Sequence, residues 1–151
     1  MNTIQIAGVD RPITQLVMGA DWFNPDNADR AYPLLDAFVD RGGNAIDTAQ
    51  VYGLGKSEQI IGQWLAAGNG DEVALITKGA HPIKDSGPRV RPECIDEDLA
   101  GSLERLGVET VDIYLLHRDD PDVEVGPIVE CLHGHREAGR IRAYGGSNWS
   151  I

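Results

Sequence analysis

The sequence predicts an α/β fold in which helices cover a parallel β-sheet. Short, almost continuously apolar segments alternate four times with longer segments of helical periodicity, and a fifth apolar segment follows the last of these. Parallel strands are apolar along their whole length because they are buried on both faces. A regular alternation of this kind predicts either an open, doubly wound sheet or a barrel.

The predicted strands are short, and a hairpin precedes them. The strands cover residues 16–20, 44–47, 73–78, 111–117 and 141–148. Residues 3–15, with Gly8 and Pro12 in their middle, indicate a small hairpin.

Four helices are predicted between the strands. Apolar residues recur at helical spacing from Ala31 to Val39, and Gly42 follows as a stop signal, so Pro33 is expected in the first turn, where proline is tolerated. The expected start and stop residues of the other helices are Ser57 as N-cap with Gly68, Pro92 at the first helical position with Gly107, and Pro127 at the first helical position with Gly139.

The composition describes an acidic chain of 151 residues with 42% hydrophobic positions and a formal net charge of -11. This length is sufficient for one domain with a hydrophobic core. Nucleic acid and anionic membrane surfaces would repel the chain, so neither is expected as a partner. The amino-terminal residues lack a basic start followed by an apolar run, and no segment is long enough to span a bilayer, so a cytoplasmic protein is expected.

Neither a disulfide framework nor a metal site is expected from the cysteines and the histidines of the last predicted helix. Cys94 and Cys131 lie in predicted helices without a Cys-x-x-Cys pair, and both are expected to be reduced packing residues. His133 and His135 are two apart on a helix and face different directions, so a metal site with Cys131 is not expected.

A phosphate-binding loop is not expected at Gly55, Lys56 and Ser57, although this tripeptide is typical of the end of such loops. The pattern requires a glycine where Gln50 stands, and it requires a strand that runs directly into the loop. The glycine is expected to turn the chain into the following helix, and Lys56 is expected to be a solvated loop charge.

Ionisable residues end three of the predicted strands. Asp47, Lys78 and His117 occupy these ends, and Tyr52 lies in the loop after Asp47. In folds of this kind the active site lies at the carboxyl ends of the strands. Because consecutive strands are expected to be neighbours, all four side chains are expected at one rim of the sheet.

Together these four side chains form a candidate acid-base catalyst. A tyrosine in water has a pKa of about 10, and a nearby ammonium such as that of Lys78 favours the phenolate. Asp47 would keep Lys78 charged and oriented, and His117 would hydrogen-bond to a carbonyl oxygen or relay a proton to Tyr52. This set suits carbonyl reduction. None of the four can donate a hydride, so this interpretation requires a nicotinamide cofactor.

Each of these residues also has a structural interpretation. Asp47 and Lys78 can form an ion pair that only stabilises the fold, and Tyr52 can be a packing residue at the rim. His117 can belong to a solvated polar loop that continues through Arg118. The coincidence of the four residues at successive strand ends favours the catalytic interpretation.

Four segments resemble the successive signature segments of the aldo-keto reductase superfamily: GGNAIDTAQVYGLGKSEQIIG, ITK, DIYLLHRDDP and GRIRAYGGSNW. The resemblance covers essentially the whole chain. It implies a (β/α)8 barrel of the TIM type, present here as a partial barrel of about five strands and four helices after the amino-terminal hairpin.

By this resemblance, the catalytic tetrad of the superfamily falls on Asp47, Tyr52, Lys78 and His117. Tyr52 would donate the proton, His117 would orient the carbonyl, and Lys78 with Asp47 would tune Tyr52. Asp47 is also expected to contact the cofactor. The implied activity is the reduction of aldehydes or ketones to alcohols, and the reverse, with a small carbonyl substrate and NADP(H), or alternatively NAD(H), as cofactor.

The resemblance also implies residues around the tetrad. Ser147 and Asn148 would hold the nicotinamide carboxamide. A β-branched residue usually precedes this pair, whereas Gly146 does so here and loosens the strand end. Trp22 and Phe23 would form an aromatic wall of the substrate pocket, and surface packing under a loop is an equally compatible role for them.

The chain is short for a barrel. A complete barrel needs about 250 residues, whereas this chain ends at Ile151, where Ser150 would cap a fifth helix. Residues 1–151 are therefore expected to be the amino-terminal part of one barrel domain, without the later loops that bind the cofactor phosphates. Three alternatives follow: part of an active reductase, an inactive half-barrel that self-associates through its open sheet edges, or a regulatory binding subunit of the same superfamily.

Overall fold

The computed structural model of the chain describes residues 1–70, 73–83 and 87–149. Ser150, which is expected to cap a fifth helix, lies outside these residues. The amino-terminal hairpin pairs β1 (Thr3–Ile4) with β2 (Ile13–Thr14) in antiparallel register, as predicted. The hairpin buries Val9 and Ile13 against the first residues of two strands of the central sheet.

Five parallel strands form the central sheet of the described residues, and each is hydrogen-bonded to the next in chain order. They are β3 (Met18–Gly19), β4 (Ala45–Asp47), β5 (Ala74–Gly79), β6 (Val111–Leu116) and β7 (Ile141–Gly146). All five predicted strands are present, although the first is reduced to two residues. The parallel α/β fold is confirmed, and within the described part of the chain the sheet is not closed into a barrel.

In the ranges that the structure describes, four α-helices connect the strands: α1 (Ala28–Asp40), α2 (Lys56–Trp64), α3 (Pro92–Leu106) and α4 (Val125–Glu137). The limits of α3 are those predicted, with Pro92 in its first turn and the left-handed Gly107 (φ 68°) at its end. No helix in the described ranges is both long and apolar enough to cross a membrane.

The first helix begins earlier than predicted. The Asn24 side chain accepts a hydrogen bond of 2.9 Å from the backbone N–H of Asp26, and a capping box with Asn27 starts a short 3-10 turn that runs into α1. Pro33 consequently lies inside the helix rather than in its first turn. The helix therefore lacks one internal N–H donor, which costs stability that its buried face has to offset.

Ser57 does not cap α2, contrary to the prediction. Gly55, in the left-handed conformation (φ 87°), precedes the helix without a side-chain cap. The Ser57 hydroxyl instead donates a hydrogen bond of 2.6 Å to the carbonyl oxygen of Ala20 and lies 2.7 Å from the hydroxyl of Thr48. It therefore ties the first turn of α2 to the residues that follow β3 and β4.

Two further helix starts differ from the prediction. The fourth helix begins at Val125 after Glu124, so Pro127 lies within the first turn and not at the first position. Backbone N–H groups in the first turn of a helix have no intrahelical acceptor. Proline, which lacks this N–H, is therefore tolerated there. Lys56 is exposed, as expected, but it is the first residue of α2 rather than a loop residue.

Both faces of the sheet are covered by apolar side chains. On one face, a helix-side core includes the fully buried Tyr114 and the inner faces of all four helices. On the other, a hairpin-side core contains Val9, Ile13, Ala45, Ala74, Ile76 and Ile113. Adjacent residues such as Leu75 and Ile76 enter different cores because strand side chains alternate between faces. This arrangement explains why the strands are apolar without interruption.

Candidate active site

Strand geometry places three of the expected site residues on one face of the sheet. Asp47, Lys78 and His117 each have the same strand parity as the residues of their own strand that enter the hairpin-side core. They follow these apolar residues at the carboxyl end of β4, β5 and β6. Along each of these strands, this face of the sheet therefore changes from apolar to ionisable at the carboxyl end.

Lys78 is the centre of the polar group. Its Nζ donates hydrogen bonds of 2.6 Å to Asp47 Oδ1 and 2.8 Å to the carbonyl oxygen of Thr48, and it lies 3.4 Å from Tyr52 Oη. The side chain of Lys78 is 7% exposed, whereas that of Asp47 is 29% exposed. A charge-assisted pair of this kind fixes the position of the buried ammonium next to the phenol.

Tyr52 is positioned by the turn that follows β4. The backbone of this loop is hydrogen-bonded to the neighbouring strand, with Gln50 N–H donating to the carbonyl oxygen of Lys78 at 2.9 Å. Tyr52 N–H donates to the carbonyl oxygen of Ala49, and the left-handed Leu54 (φ 58°) reverses the chain toward α2. Non-glycine residues rarely adopt this conformation, so the turn behind Tyr52 is strained.

His117 completes the group at the end of β6. Its ring packs edge-on against Tyr52 with 5.7 Å between ring centroids. Burial, together with the positive charges of Lys78, His81 and Arg118, lowers the pKa of His117 from 6.5 to about 4. The imidazole is therefore neutral at neutral pH, and its buried Nδ1 has no hydrogen-bond partner among the residues that the structure describes.

The sequence alone did not reveal His81 as a neighbour of these residues. It follows β5 and packs edge-on against His117, with ring centroids 4.8 Å apart, while its Nδ1 lies 2.8 Å from the carbonyl oxygen of Pro82. Its position three residues after Lys78, close to the end of a predicted strand, could have indicated that it lies near the site. His81 extends the polar group by a second imidazole.

Ser147 and Asn148 follow β7 next to His117. The backbone N–H of Ser147 donates to the carbonyl oxygen of Leu116 at 2.8 Å, and Asn148 Nδ2 lies 2.9 Å from Ser147 Oγ and 3.3 Å from the carbonyl oxygen of His117. Asn148 is exposed and left-handed (φ 58°). The side chain of Asn148 thus lies beside His117 and contacts the hydroxyl of Ser147.

Gly146 leaves room for an aromatic ring. A Cβ atom at this position would lie 2.7 Å from Cδ2 of Trp149, closer than real side chains allow. The glycine that departs from the pattern of the superfamily is therefore matched by Trp149, which folds over the strand end.

The two aromatic residues after β3 separate in the structure. Phe23 is 1% exposed and belongs to the helix-side core, so the expectation that it forms a wall of the substrate pocket is wrong. Its apolar ring is buried under the sheet because that core offers it more contact than the rim does. Trp22 remains 40% exposed and packs edge-on against Phe23.

A separate cavity of about 340 Å³ lies near the other end of the sheet and is lined by residues that include Leu75, Leu106, Asp112 and Arg142. Asp112 accepts a hydrogen bond of 2.9 Å from the backbone N–H of Leu75, and Arg142 Nε lies 3.5 Å from its other oxygen. The carboxylate of Asp112 therefore already has a hydrogen-bond donor and a nearby cation. The group around Lys78 is therefore the better candidate for chemistry.

Within the described residues, a parallel β/α sheet carries Asp47, Tyr52, Lys78 and His117 at the carboxyl ends of its strands, where enzymes built on parallel β/α folds have their active sites. The chain belongs to the aldo/keto reductase family, whose sequence profile it matches over residues 15–151. This is a family of oxidoreductases that act on carbonyls and generally use nicotinamide cofactors.

Individual relatives support this assignment. The chain is 35% identical over 144 residues to the aldo-keto reductase YhdN of Bacillus subtilis, covering 91% of this chain and 42% of the relative. Its fold is similar to that of the glycerol dehydrogenase AKR11B4 from Gluconobacter oxydans, with a TM-score of 0.84 and 33% identity over 98% of this chain and 49% of that one. It is also similar to the holo form of the aldo-keto reductase AKR11C1 from Bacillus halodurans, with a TM-score of 0.85 and 27% identity over 98% of this chain and 50% of that one. The chain thus spans about half the length of the relatives it matches.

Proposed function

We propose that the whole protein reduces aldehydes or ketones to alcohols, and catalyses the reverse reaction, with NADP(H) as cofactor. One observation carries the proposal: Lys78 Nζ lies 2.6 Å from Asp47 Oδ1 and 3.4 Å from Tyr52 Oη. A phenol next to a fixed, buried ammonium is suited to give up its proton, because the ammonium stabilises the phenolate that remains. Membership of a carbonyl oxidoreductase family supports the same reaction class.

The residues after β7 fit a nicotinamide cofactor. Ser147 is half-buried and Asn148 is exposed, so both can exchange their contacts for those of a carboxamide. The exposed part of Asp47 faces the same rim, and we place it in contact with the cofactor as well. When bound, the cofactor supplies the hydride that reduces the carbonyl carbon.

The residues of this chain carry out the proton side of the reaction. Tyr52 donates its phenolic proton to the carbonyl oxygen as negative charge develops there, which completes the alcohol. Lys78 stabilises the phenolate, and Asp47 keeps the ammonium in place. His117 is neutral, so it can donate a hydrogen bond to the carbonyl oxygen without adding a buried charge.

The preference for NADP(H), with NAD(H) as the alternative, rests on the family resemblance. In barrels of this type the phosphate contacts are commonly made by loops after the seventh and eighth strands. Steady-state kinetics with NADPH and NADH at one fixed carbonyl concentration test the preference. A lower KM for NADH would overturn it while leaving the reaction class intact.

The proposed catalysis is tested by replacing Tyr52 with phenylalanine in the purified whole protein. We expect Tyr52→Phe to lower kcat for carbonyl reduction by about 10²- to 10⁴-fold, because a general acid is lost, while the fluorescence titration with NADPH remains unchanged. Tyr32→Phe is the matched control, since its hydroxyl bonds to Gln63 on the helical surface at 2.9 Å. Unchanged turnover in Tyr52→Phe would remove this tyrosine from the mechanism.

The two other roles considered from the sequence stay open to test. Within the described residues β3 and β7 each have one neighbouring strand, so their free edges are suited to pair with further strands, including those of a second copy. An intact mass close to 16.4 kDa together with a dimeric size and no turnover would favour the inactive half-barrel. Tight NADPH binding without turnover of any aldehyde would favour the regulatory subunit.

A further inference from the structure

A second group of chemically active side chains lies on the outer surface, between α3 and α4. Asp96 on α3 faces Cys131 and His135 on α4, and one potential ligand atom from each residue lies within 4.8 Å of the others. Cys131 and His135 are four residues apart, so they share one face of the helix. In the sequence, Asp96 lies 35 residues before Cys131, and only the packing of α3 against α4 brings it to this pair.

The imidazole of His135 distinguishes this group from a cluster of solvated surface side chains, because it is buried. His135 is 5% exposed, and its Nε2 has no hydrogen-bond partner within the described part of the chain. Asp96 Oδ1 lies 2.8 Å from this nitrogen, but it is not aligned to accept a hydrogen bond from the ring. A buried polar atom without a hydrogen bond is costly, so a ligand that occupies it would be stabilising.

We propose that Asp96, Cys131 and His135 bind a divalent transition-metal ion of the zinc class. Thiolate, imidazole and carboxylate are the protein ligands that Zn²⁺ uses, in tetrahedral geometry with bonds of about 2.0 to 2.3 Å. Such bonds separate ligand atoms by about 3.3 to 3.8 Å, and Cys131 Sγ lies 3.7 Å from Asp96 Oδ1. A water molecule would complete the coordination.

The local charge favours a cation. The carboxylates of Asp96 and Glu93 act electrostatically on the Cys131 thiol. The same anions attract a divalent ion, and a bound ion makes the thiolate the favoured form, with its proton released to solvent. Asp96 has a side chain that is 61% exposed, so it can move by the few tenths of an ångström that coordination requires.

The guanidinium of Arg140 is expected to weaken metal binding at this site, so replacing Arg140 tests the proposal. Its Nη1 lies 3.4 Å from His135 Nδ1, an arrangement that favours the ring proton on Nε2, the nitrogen assigned to the metal. Coordination therefore requires the proton to move to Nδ1 and the exposed Arg140 to turn away. Removing this guanidinium should strengthen metal binding.

The site is tested with Co²⁺ as a spectroscopic probe of the metal-free purified protein. We expect one equivalent of Co²⁺ to give a thiolate-to-cobalt charge-transfer band and the intense visible bands of tetrahedral cobalt, with Zn²⁺ displacing both. Cys131→Ser should abolish the charge-transfer band, and Asp96→Asn and His135→Gln should raise the Kd by about tenfold or more. Arg140→Gln should lower the Kd.

Matched variants separate this site from unspecific binding. His133→Gln changes an exposed histidine of the same helix, and Cys94→Ser changes a buried cysteine on α3, so both should leave the cobalt spectrum unchanged. The absence of a thiolate band in the unmodified protein would overturn the proposal. Equal losses of affinity in His133→Gln and His135→Gln would also overturn it. Since Asp96 is exposed, the Asp96→Asn variant gives an answer even where a buried substitution prevents folding.

Discussion

Lys78 on β5 donates a hydrogen bond of 2.6 Å to Asp47 on the neighbouring β4. The same ammonium reaches Tyr52, so Asp47 acts on the phenol through Lys78 and not by direct contact. The order of these contacts predicts how substitutions combine.

Asp47→Asn should lower kcat for carbonyl reduction by about 10- to 100-fold, because a hydrogen bond to a charged group contributes about 1.5–3 kcal/mol. Lys78→Met should lower kcat further, since it removes the charge that stabilises the phenolate. The double variant should be no slower than Lys78→Met, because Asp47 then has no ammonium to orient. Steady-state kinetics of the three variants check this expectation, and additive losses would contradict it.

The residues that the sequence located correctly depend on local pattern. The ionisable residue at each strand end and the order of the strands are visible in the sequence, and this sufficed to place Asp47, Lys78 and His117 on one rim. Ser57 and Phe23 were assigned wrongly because their partners come from other segments: Ser57 bonds to Ala20, and Phe23 enters a core built by four helices. No helical or strand periodicity contains that information.

The same distinction applies to the groups that the sequence did not reveal. His81 belongs to a loop without periodicity, so its contact with His117 depends on the path of the chain after β5. The spacing of Cys131 and His135 could be read from the sequence, whereas the approach of Asp96 depends on how α3 packs against α4. Packing between elements therefore explains why the sequence did not reveal these two groups.

His117 should make the stability of the protein depend on pH. Its folded pKa of about 4 lies below its ordinary value of 6.5, so between these values the unfolded chain binds more protons and stability falls as the pH falls. The shift corresponds to at most about 3 kcal/mol, fully present above pH 6.5 and lost on acidification toward pH 4. Urea unfolding of the parent and His117→Gln from pH 7 to pH 4 measures this. A constant difference in unfolding free energy between the two proteins across this range would contradict the expectation.

Gly146 and Trp149 should be coupled in cofactor binding. Gly146→Val introduces a Cβ where the indole of Trp149 now lies, so the ring and the adjacent Ser147 and Asn148 have to shift. We expect NADPH binding to weaken by about tenfold, since overpacking typically costs about 1–3 kcal/mol. Trp149→Ala in the Gly146→Val background should restore part of the affinity. Fluorescence titration of both variants checks this, and unchanged affinity in Gly146→Val would show that the ring moves without cost.

Glu58 and Arg105 form an ion pair behind the active-site strand. The carboxylate is fully buried, accepts a hydrogen bond of 2.5 Å from Thr77 and is paired with Arg105 Nε at 2.7 Å. Arg105→Ala leaves an unpaired buried charge and should lower the free energy of unfolding by about 3–5 kcal/mol. Glu58→Gln in the Arg105→Ala background should recover much of that loss, because an amide still accepts a hydrogen bond from Thr77 without carrying charge. Chemical denaturation measures the unfolding free energies of the single and double variants. Additive losses would contradict an origin in the Glu58–Arg105 pair. The control is Arg136→Ala at the surface, which should change the unfolding free energy by no more than about 0.5 kcal/mol.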